Sequence, residues 1–167
     1  MSKVTTGIPI PQQSYAPQPP PQYGQHQRTS GSFSTGLCDC CSDMSSCCLT
    51  CWCPCITFGR IAEIVDRGST SCCTSGTLYT LLLCLTGCQS IYSCTYRSKL
   101  KAQLGMPDNC CADLCSHCCC EYCALCQEYR ELQHRGYNLA LGWQGNMERQ
   151  NPGIAMPPQV PSGMARY

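Results

Sequence analysis

The chain has 167 residues and a formal net charge of +1, only 13% of its residues are charged, and 21 are cysteine. Globular proteins carry about 25% charged residues, and a nearly neutral chain lacks the basic surface that binds nucleic acid. The composition therefore argues against a nucleic-acid-binding protein and points to the chemistry of thiols.

Residues 1–36 hold six Pro and six Gln and contain no apolar stretch long enough for a secretory signal. They predict a disordered tail that stays in the cytosol, and a second Pro-rich disordered tail is predicted over residues 151–167. Cytosolic thiols are kept reduced, and an odd number of cysteines cannot all pair, so most cysteines are expected to be free. The folded part is expected over residues 37–150, which contain every cysteine.

A short uncharged stretch, residues 44–59, precedes a longer one. Its 16 residues are too few for a transmembrane helix, and Pro54 interrupts it, so it predicts a re-entrant or interfacial segment.

The longer uncharged stretch has 29 residues, 68–96, and predicts a membrane-embedded helix. Its centre at residues 78–85 is strongly apolar, and the small residues around it favour helix packing in membranes. Ser75 is predicted as the N-cap and Gly105 as the stop of a single helix about 40 Å long. The alternative is that residues 78–85 form a buried core helix of a small soluble protein.

Two amphipathic helices are predicted beside these stretches. The first carries apolar residues at helical spacing, ends at Gly68, and includes Phe58, Ile61, Ala62 and Val65. The second runs from about residue 118 to 136, with Glu131 placed to pair with Arg135 and an apolar stripe of Tyr122, Leu125, Cys126, Tyr129 and Leu132. Together the patterns predict a mainly α, small Cys-rich membrane protein with one or two membrane-embedded helical segments, amphipathic flanking helices and disordered tails.

Cys-x-x-Cys spacing occurs at Cys48 and Cys51, Cys115 and Cys118, Cys120 and Cys123, and Cys123 and Cys126. This spacing lets two thiolates reach one tetrahedral ion, and thiolates favour soft metals such as zinc, cadmium and copper(I). His117 adds a ligand of intermediate softness. The patterns therefore predict metal binding, with zinc as the expected structural ion. The alternative is that cysteine, which is small and apolar, only packs the helices.

Phosphate loops and hydrolase motifs are missing from the sequence, so the chain is predicted not to be an enzyme.

A larger pattern joins these features. The chain contains CCLTCWCPCITFGRIAEIVDRGSTSC at residues 47–72, YSCTYRSKLKAQ at 92–103, CSHCCCEYCALCQEYRELQHRG at 115–136 and GWQGNMERQ at 142–150. These runs closely resemble the plant cadmium resistance proteins of the cornifelin-like family, which also includes the plant cell number regulators. The resemblance covers roughly residues 37–150, and its hallmark is a Cys pair followed, after four residues, by Cys-Pro-Cys.

The resemblance implies a small plasma-membrane protein that confers cadmium resistance. It would move cadmium, zinc or calcium across the membrane as a homo-oligomer. The family motif marks Cys47, Cys48, Cys53 and Cys55 for metal resistance. Candidate ligands in the last cysteine group are Cys115, His117, Cys118, Cys119, Cys123 and Cys126.

A chain of 18.3 kDa without a nucleotide-binding loop cannot pump ions by hydrolysing ATP. Transport would then require a passive or ion-coupled pore made by several copies, and Glu63 and Asp66 could attract divalent cations at its mouth. The alternatives are a solvated helix face for these two carboxylates, a non-transporting scaffold or regulator of cell number, and a structural zinc-binding module.

Overall fold

The computed structural model describes residues 31–150, so the tails predicted for residues 1–30 and 151–167 lie outside the described residues. Within residues 31–150 the chain forms helices and turns but no strand, which confirms the mainly α prediction. The α-helices are α1 (Met44–Trp52), α2 (Pro54–Val65), α3 (Cys72–Leu85), α4 (Gln89–Leu104), α5 (Cys110–His134) and α6 (Gly142–Gln150). Short 3-10 helices lie at Cys40–Ser42 and Leu139–Leu141.

Helices α2 and α3 form an antiparallel hairpin whose backbones nearly touch. A Cβ atom on Gly59 would lie 2.4 Å from the carbonyl oxygen of Cys72, and one on Gly76 would lie 2.8 Å from that of Cys55. Only glycine permits this approach, since any larger residue would push the helices apart. The hairpin places the α1–α2 junction and the far end of α3 toward the same end of the molecule.

The core lies where α2, α3, α4 and α5 meet. Phe58 is fully buried, and its ring stacks on Tyr79 at 5.1 Å between centroids and meets Tyr96 edge-on at 5.2 Å. The predicted stripe of α2 is confirmed, because Ile61 and Ala62 are also completely buried. The free energy from burying this apolar surface holds the four helices together.

The second predicted stripe is part of α5, which begins earlier than expected, at Cys110. Leu125, Cys126, Tyr129 and Leu132 of that stripe are buried, whereas Tyr122 is half exposed. The predicted pair between Glu131 and Arg135 is present at 2.9 Å. Both amphipathic stripes therefore serve mainly to pack the core.

The prediction of one continuous helix from Ser75 to Leu104 is wrong. The chain turns between α3 and α4 at Gly87, which has a φ of +68°, and the backbone amides of Thr86 and Gly87 both donate to the carbonyl of Leu82. These bonds end α3 in the way glycine commonly ends helices. The N-cap is Ser71 rather than Ser75, and Ser75 is buried inside α3. The predicted stop at Gly105 is confirmed.

Helices α1 and α2 are bent by 113° at Cys53. Among residues 31–150, no helix by itself combines the length and apolar composition needed to cross a membrane, while α1 and α2 taken together across this bend meet both criteria. The bend agrees with the interruption expected at Pro54, which stands at the first position of α2, where proline is favoured. Embedding of either uncharged stretch in a membrane stays a prediction.

Candidate metal centre

Three thiols meet where the first 3-10 helix contacts the start of α1. The Sγ atoms of Cys40, Cys41 and Cys47 all lie within 4.8 Å of one another, and those of Cys40 and Cys41 are 4.0 Å apart. A tetrahedral zinc ion with Zn–S bonds of about 2.3 Å separates its sulfur ligands by about 3.8 Å. These three residues, the thiol cluster below, therefore stand close to the spacing that one metal ion requires.

The segment before α1 reaches this position because it is anchored on α5. Arg130 of α5 is buried, and its guanidinium donates to the carbonyl oxygens of Asp39 and Gly36 and to the hydroxyl of Ser42. Upstream of these residues, the carbonyl of Thr35 accepts a hydrogen bond from α5 at 2.7 Å. The packed region therefore includes residues before Leu37, where the sequence placed the start of the folded part. Arg130 thus sets the position of Cys40 and Cys41.

Helix α5 brings a second set of thiols to the same place. Cys123 is half-buried, and the neighbouring thiols of Cys120 and Cys40 raise its pKa. Cys126, one turn further on, is buried and lies 4.0 Å from the carbonyl oxygen of Ser46 in α1. The three cysteines of α5 are called the α5 thiols below.

The pKa values of these thiols are raised. Burial raises the pKa of Cys47 to about 12, with further contributions from the neighbouring thiols of Cys126 and Cys51. The hydrogen bond with Cys120, followed by burial, raises the pKa of Cys123 to about 12. Burial also raises the pKa of Cys126, although Arg130 acts in the opposite direction. The thiols are therefore protonated at neutral pH, and a metal ion would have to displace their protons.

The structure separates the other motif cysteines from the thiol cluster. Cys48 is exposed, Cys53 lies at the bend, and Cys55 faces α3 in an open groove of about 340 Å³ that is also lined by Cys72 and Cys73. Candidate ligands near the middle of α5 that lie on its exposed surface are Cys115, Cys118 and Cys119. Of the ten predicted ligands, Cys47 alone belongs to the thiol cluster, and Cys126 lies near enough to raise the pKa of Cys47.

His117 lies in a buried polar network between α4 and α5 and not among the thiols. Its Nε2 is 3.0 Å from a carboxylate oxygen of Glu128, and its Nδ1 is 3.1 Å from the hydroxyl of Ser93. The same oxygen of Glu128 accepts from Arg97, which also donates to Asp113 at 2.9 Å. Both ring nitrogens of His117 therefore have protein partners in this structure, and its role as a ligand stays a prediction.

The two carboxylates predicted at a pore mouth are half-buried and hydrogen-bonded within the protein. Glu63 accepts hydrogen bonds from the backbone amides of Cys72 and Trp143, at the N-termini of α3 and α6. Asp66 accepts from the hydroxyl of Tyr96 and from Lys99. Burial acts to raise the pKa of Asp66, but these hydrogen bonds outweigh it and lower the pKa. Both carboxylates thus have structural partners, and attraction of cations by them stays a prediction.

Cys40 and Cys41 were not among the residues that the sequence indicated. They precede the family motif, and Cys41 forms a Cys-x-x-Cys pair with Cys38 that the prediction from the sequence did not use. The available signal was the group that starts at Cys38, directly upstream of the motif.

Comparison with known proteins identifies a family and close relatives over most of the chain. The PLAC8 family profile matches residues 33–131. The chain is 61% identical over 134 residues to cell number regulator 9 of Zea mays, covering 80% of this chain and 77% of the relative. It is 58% identical over 139 residues to PLANT CADMIUM RESISTANCE 2 of Arabidopsis thaliana, covering 81% and 91%. No solved structure matches the chain.

Proposed function

Because the chain belongs to the PLAC8 family, we propose that it binds cadmium and zinc through the thiol cluster and thereby gives resistance to these metals at the plasma membrane. The observation that carries the proposal is the convergence of three thiols within 4.8 Å. Soft divalent ions prefer thiolate sulfur to the carboxylates and carbonyls that calcium and magnesium prefer. A relative named for cadmium resistance supports the same class of ion. The proposal assigns no catalytic step.

Exposed apolar side chains support the location at a membrane. Trp52 at the α1–α2 bend is 86% exposed, Leu85 at the end of α3 is 73% exposed, and Ile91 after the turn is 58% exposed. All of them belong to the two uncharged stretches, and a lipid surface would cover such residues at a gain of about 25 cal/mol per Å².

Efflux is the form of resistance that we propose for this site. Several copies would surround a pathway, because one chain has too few apolar helices to enclose one. Strong thiolate ligands release cadmium slowly, so the thiol cluster fits metal capture or gating better than conduction. Calcium, a hard cation, would have to pass by oxygen ligands instead.

Growth of cadmium-sensitive yeast tests the proposal. Cells that express the protein should grow better on cadmium, and a variant with Cys40, Cys41 and Cys47 replaced by Ser should lose that benefit. The matched control replaces Cys110 and Cys111, an exposed adjacent pair at the start of α5. Rescue with reduced cell cadmium indicates efflux, whereas rescue at unchanged content indicates chelation. Full rescue by the cluster variant at equal protein levels would refute metal capture at this site.

The second candidate function is regulation of cell number without metal transport. It is favoured by the 61% identity to a cell number regulator. In that case expression of the protein should change neither the growth of yeast on cadmium nor the metal content of the cells, and the thiols would serve only to pack the helices.

A further inference from the structure

We propose that residues 33–42, called the strap below, form a latch that assembles the thiol cluster when the strap docks on α5. The hydrogen bonds between Ser34 and Glu131 control that docking. Metal capture and docking are then one coupled event, and each strengthens the other by the same factor. The inference rests on the proposed function and adds the regulation of its site. It concerns the thiol cluster and not the α5 thiols.

The thiol cluster is divided between two elements of the structure. Cys40 and Cys41 belong to the strap, whereas Cys47 belongs to α1. Helix α1 is anchored independently of the strap, because Ser46 and Thr50, which lie before and after Cys47, are buried. The spacing of the three thiols therefore depends on where the strap lies relative to α1.

The strap lies along one face of α5. Its carbonyl oxygens accept hydrogen bonds from the side chains of Gln127 and Arg130. Further along the helix, Ser34 of the strap is hydrogen-bonded to Glu131 and His134. Positions 127, 130, 131 and 134 have the spacing i, i+3, i+4 and i+7, which places side chains on one side of a helix. A continuous row of polar side chains on α5 therefore receives the strap.

Ser34 contacts this row through two donors. Its backbone amide, at 2.8 Å, and its hydroxyl, at 2.6 Å, both donate to Oε2 of Glu131. Glu131 is 2% exposed, whereas Ser34 lies on the surface. Burial acts to raise the pKa of Glu131, but the hydrogen bonds from Ser34 and Arg135 outweigh it and lower the pKa, so the carboxylate is ionised at neutral pH. A substitution at the exposed Ser34 can therefore change docking without altering the core.

A negative charge at position 34 distinguishes the latch from simple attraction of metal. Ser34→Asp removes the hydroxyl donor and places a carboxylate against the ionised Glu131, and the two like charges repel. Added negative charge on a protein surface attracts cations, so electrostatics without the latch would raise cadmium affinity. The latch predicts a fall in affinity instead, because Ser34 is six residues from Cys40 and acts only through the position of the strap.

The test compares Ser34→Asp with Ser34→Asn, a control of nearly the same size whose neutral amide can still donate to Glu131. Competition with a chelator measures the cadmium affinity of the full-length reduced protein, and hydrogen exchange of the strap amides measures docking. Ser34→Asp should speed that exchange and lower the affinity by about fivefold or more, whereas Ser34→Asn should stay within about twofold of the wild type. Adding Glu131→Gln to Ser34→Asp removes the repelling charge and should restore most of the affinity.

The wild type provides the reciprocal measurement. Cadmium should slow hydrogen exchange at the amide of Ser34, since coupling acts in both directions. Cadmium binding that leaves this exchange unchanged would overturn the latch, and this measurement decides even if a variant fails to fold. Unchanged strap exchange in Ser34→Asp, or an affinity equal to or above that of the wild type, would also overturn it.

The outcomes separate the latch from the proposed function. If the triple replacement of Cys40, Cys41 and Cys47 abolishes cadmium binding while Ser34→Asp does not weaken it, metal capture stands and the latch is refuted. If the wild type binds no cadmium, or the triple variant binds it equally well, both are refuted.

Discussion

Replacement of Glu63 by Gln tests whether this carboxylate holds the fold or serves a pore. Glu63 accepts backbone hydrogen bonds from Cys72 at 3.1 Å and from Trp143 at 2.9 Å, so it caps the N-termini of α3 and α6. The glutamine side chain has only one accepting oxygen, so its NH₂ group would face the second backbone amide, which is also a donor. Loss of one charged hydrogen bond and of two charge–dipole interactions should cost about 2 to 3 kcal/mol. For a domain of this size the melting temperature should fall by about 8 to 12 °C.

The assay is thermal unfolding of the purified protein, followed by circular dichroism. The matched control is Glu148→Gln, which removes an exposed carboxylate on α6 and should change the melting temperature by less than about 2 °C. If Glu63→Gln has the same melting temperature as this control and yet lowers metal flux, the capping argument is refuted and the cation-attracting role is favoured.

The remaining predictions concern pH and charge. Cadmium affinity should fall about 100-fold per pH unit on acidification from the thiols of Cys41 and Cys47 alone, because each must lose a proton on binding; competition titrations from pH 8 to 6 measure this. Since the folded-state pKa values of Cys47 and Cys123 are raised to about 12, the metal-free protein should lose stability as the pH rises from about 9 toward 12, and denaturant titration would contradict this if stability were constant. Asp113→Ala should destabilise the protein by about 1.5 to 3 kcal/mol, because the buried Arg97 loses one of its two carboxylate partners and keeps only Glu128. Burial acts to raise the pKa of Asp113, but Lys101 and Arg97 lower it overall. The contribution of Asp113 to stability is therefore present above about pH 4 and is lost as the pH falls further. A decrease of less than about 1 kcal/mol in the free energy of unfolding of Asp113→Ala, measured in urea, would contradict this account.

Local structure followed from the sequence wherever nearby residues decide it. The stripe around Phe58 and the stop at Gly105 depend on side chains within one or two turns, and both predictions are confirmed. The turn at Gly87 was missed because a single glycine inside an apolar run is compatible with a continuing helix. What ends α3 there is the left-handed conformation of that glycine.

The sequence by itself determined that this is a helical, thiol-rich chain of the PLAC8 type with two uncharged stretches. Only the tertiary structure decided which thiols meet. Cys-x-x-Cys spacing brings sulfurs together along one helix, but the thiol cluster joins Cys40 and Cys41 to Cys47 of the next helix, and its position depends on Arg130 holding the segment before α1 against α5. His117 shows the converse, since its neighbours in the chain are cysteines while its partners in space are Ser93 and Glu128. Helix packing sets these distances, and spacing along the chain does not encode them.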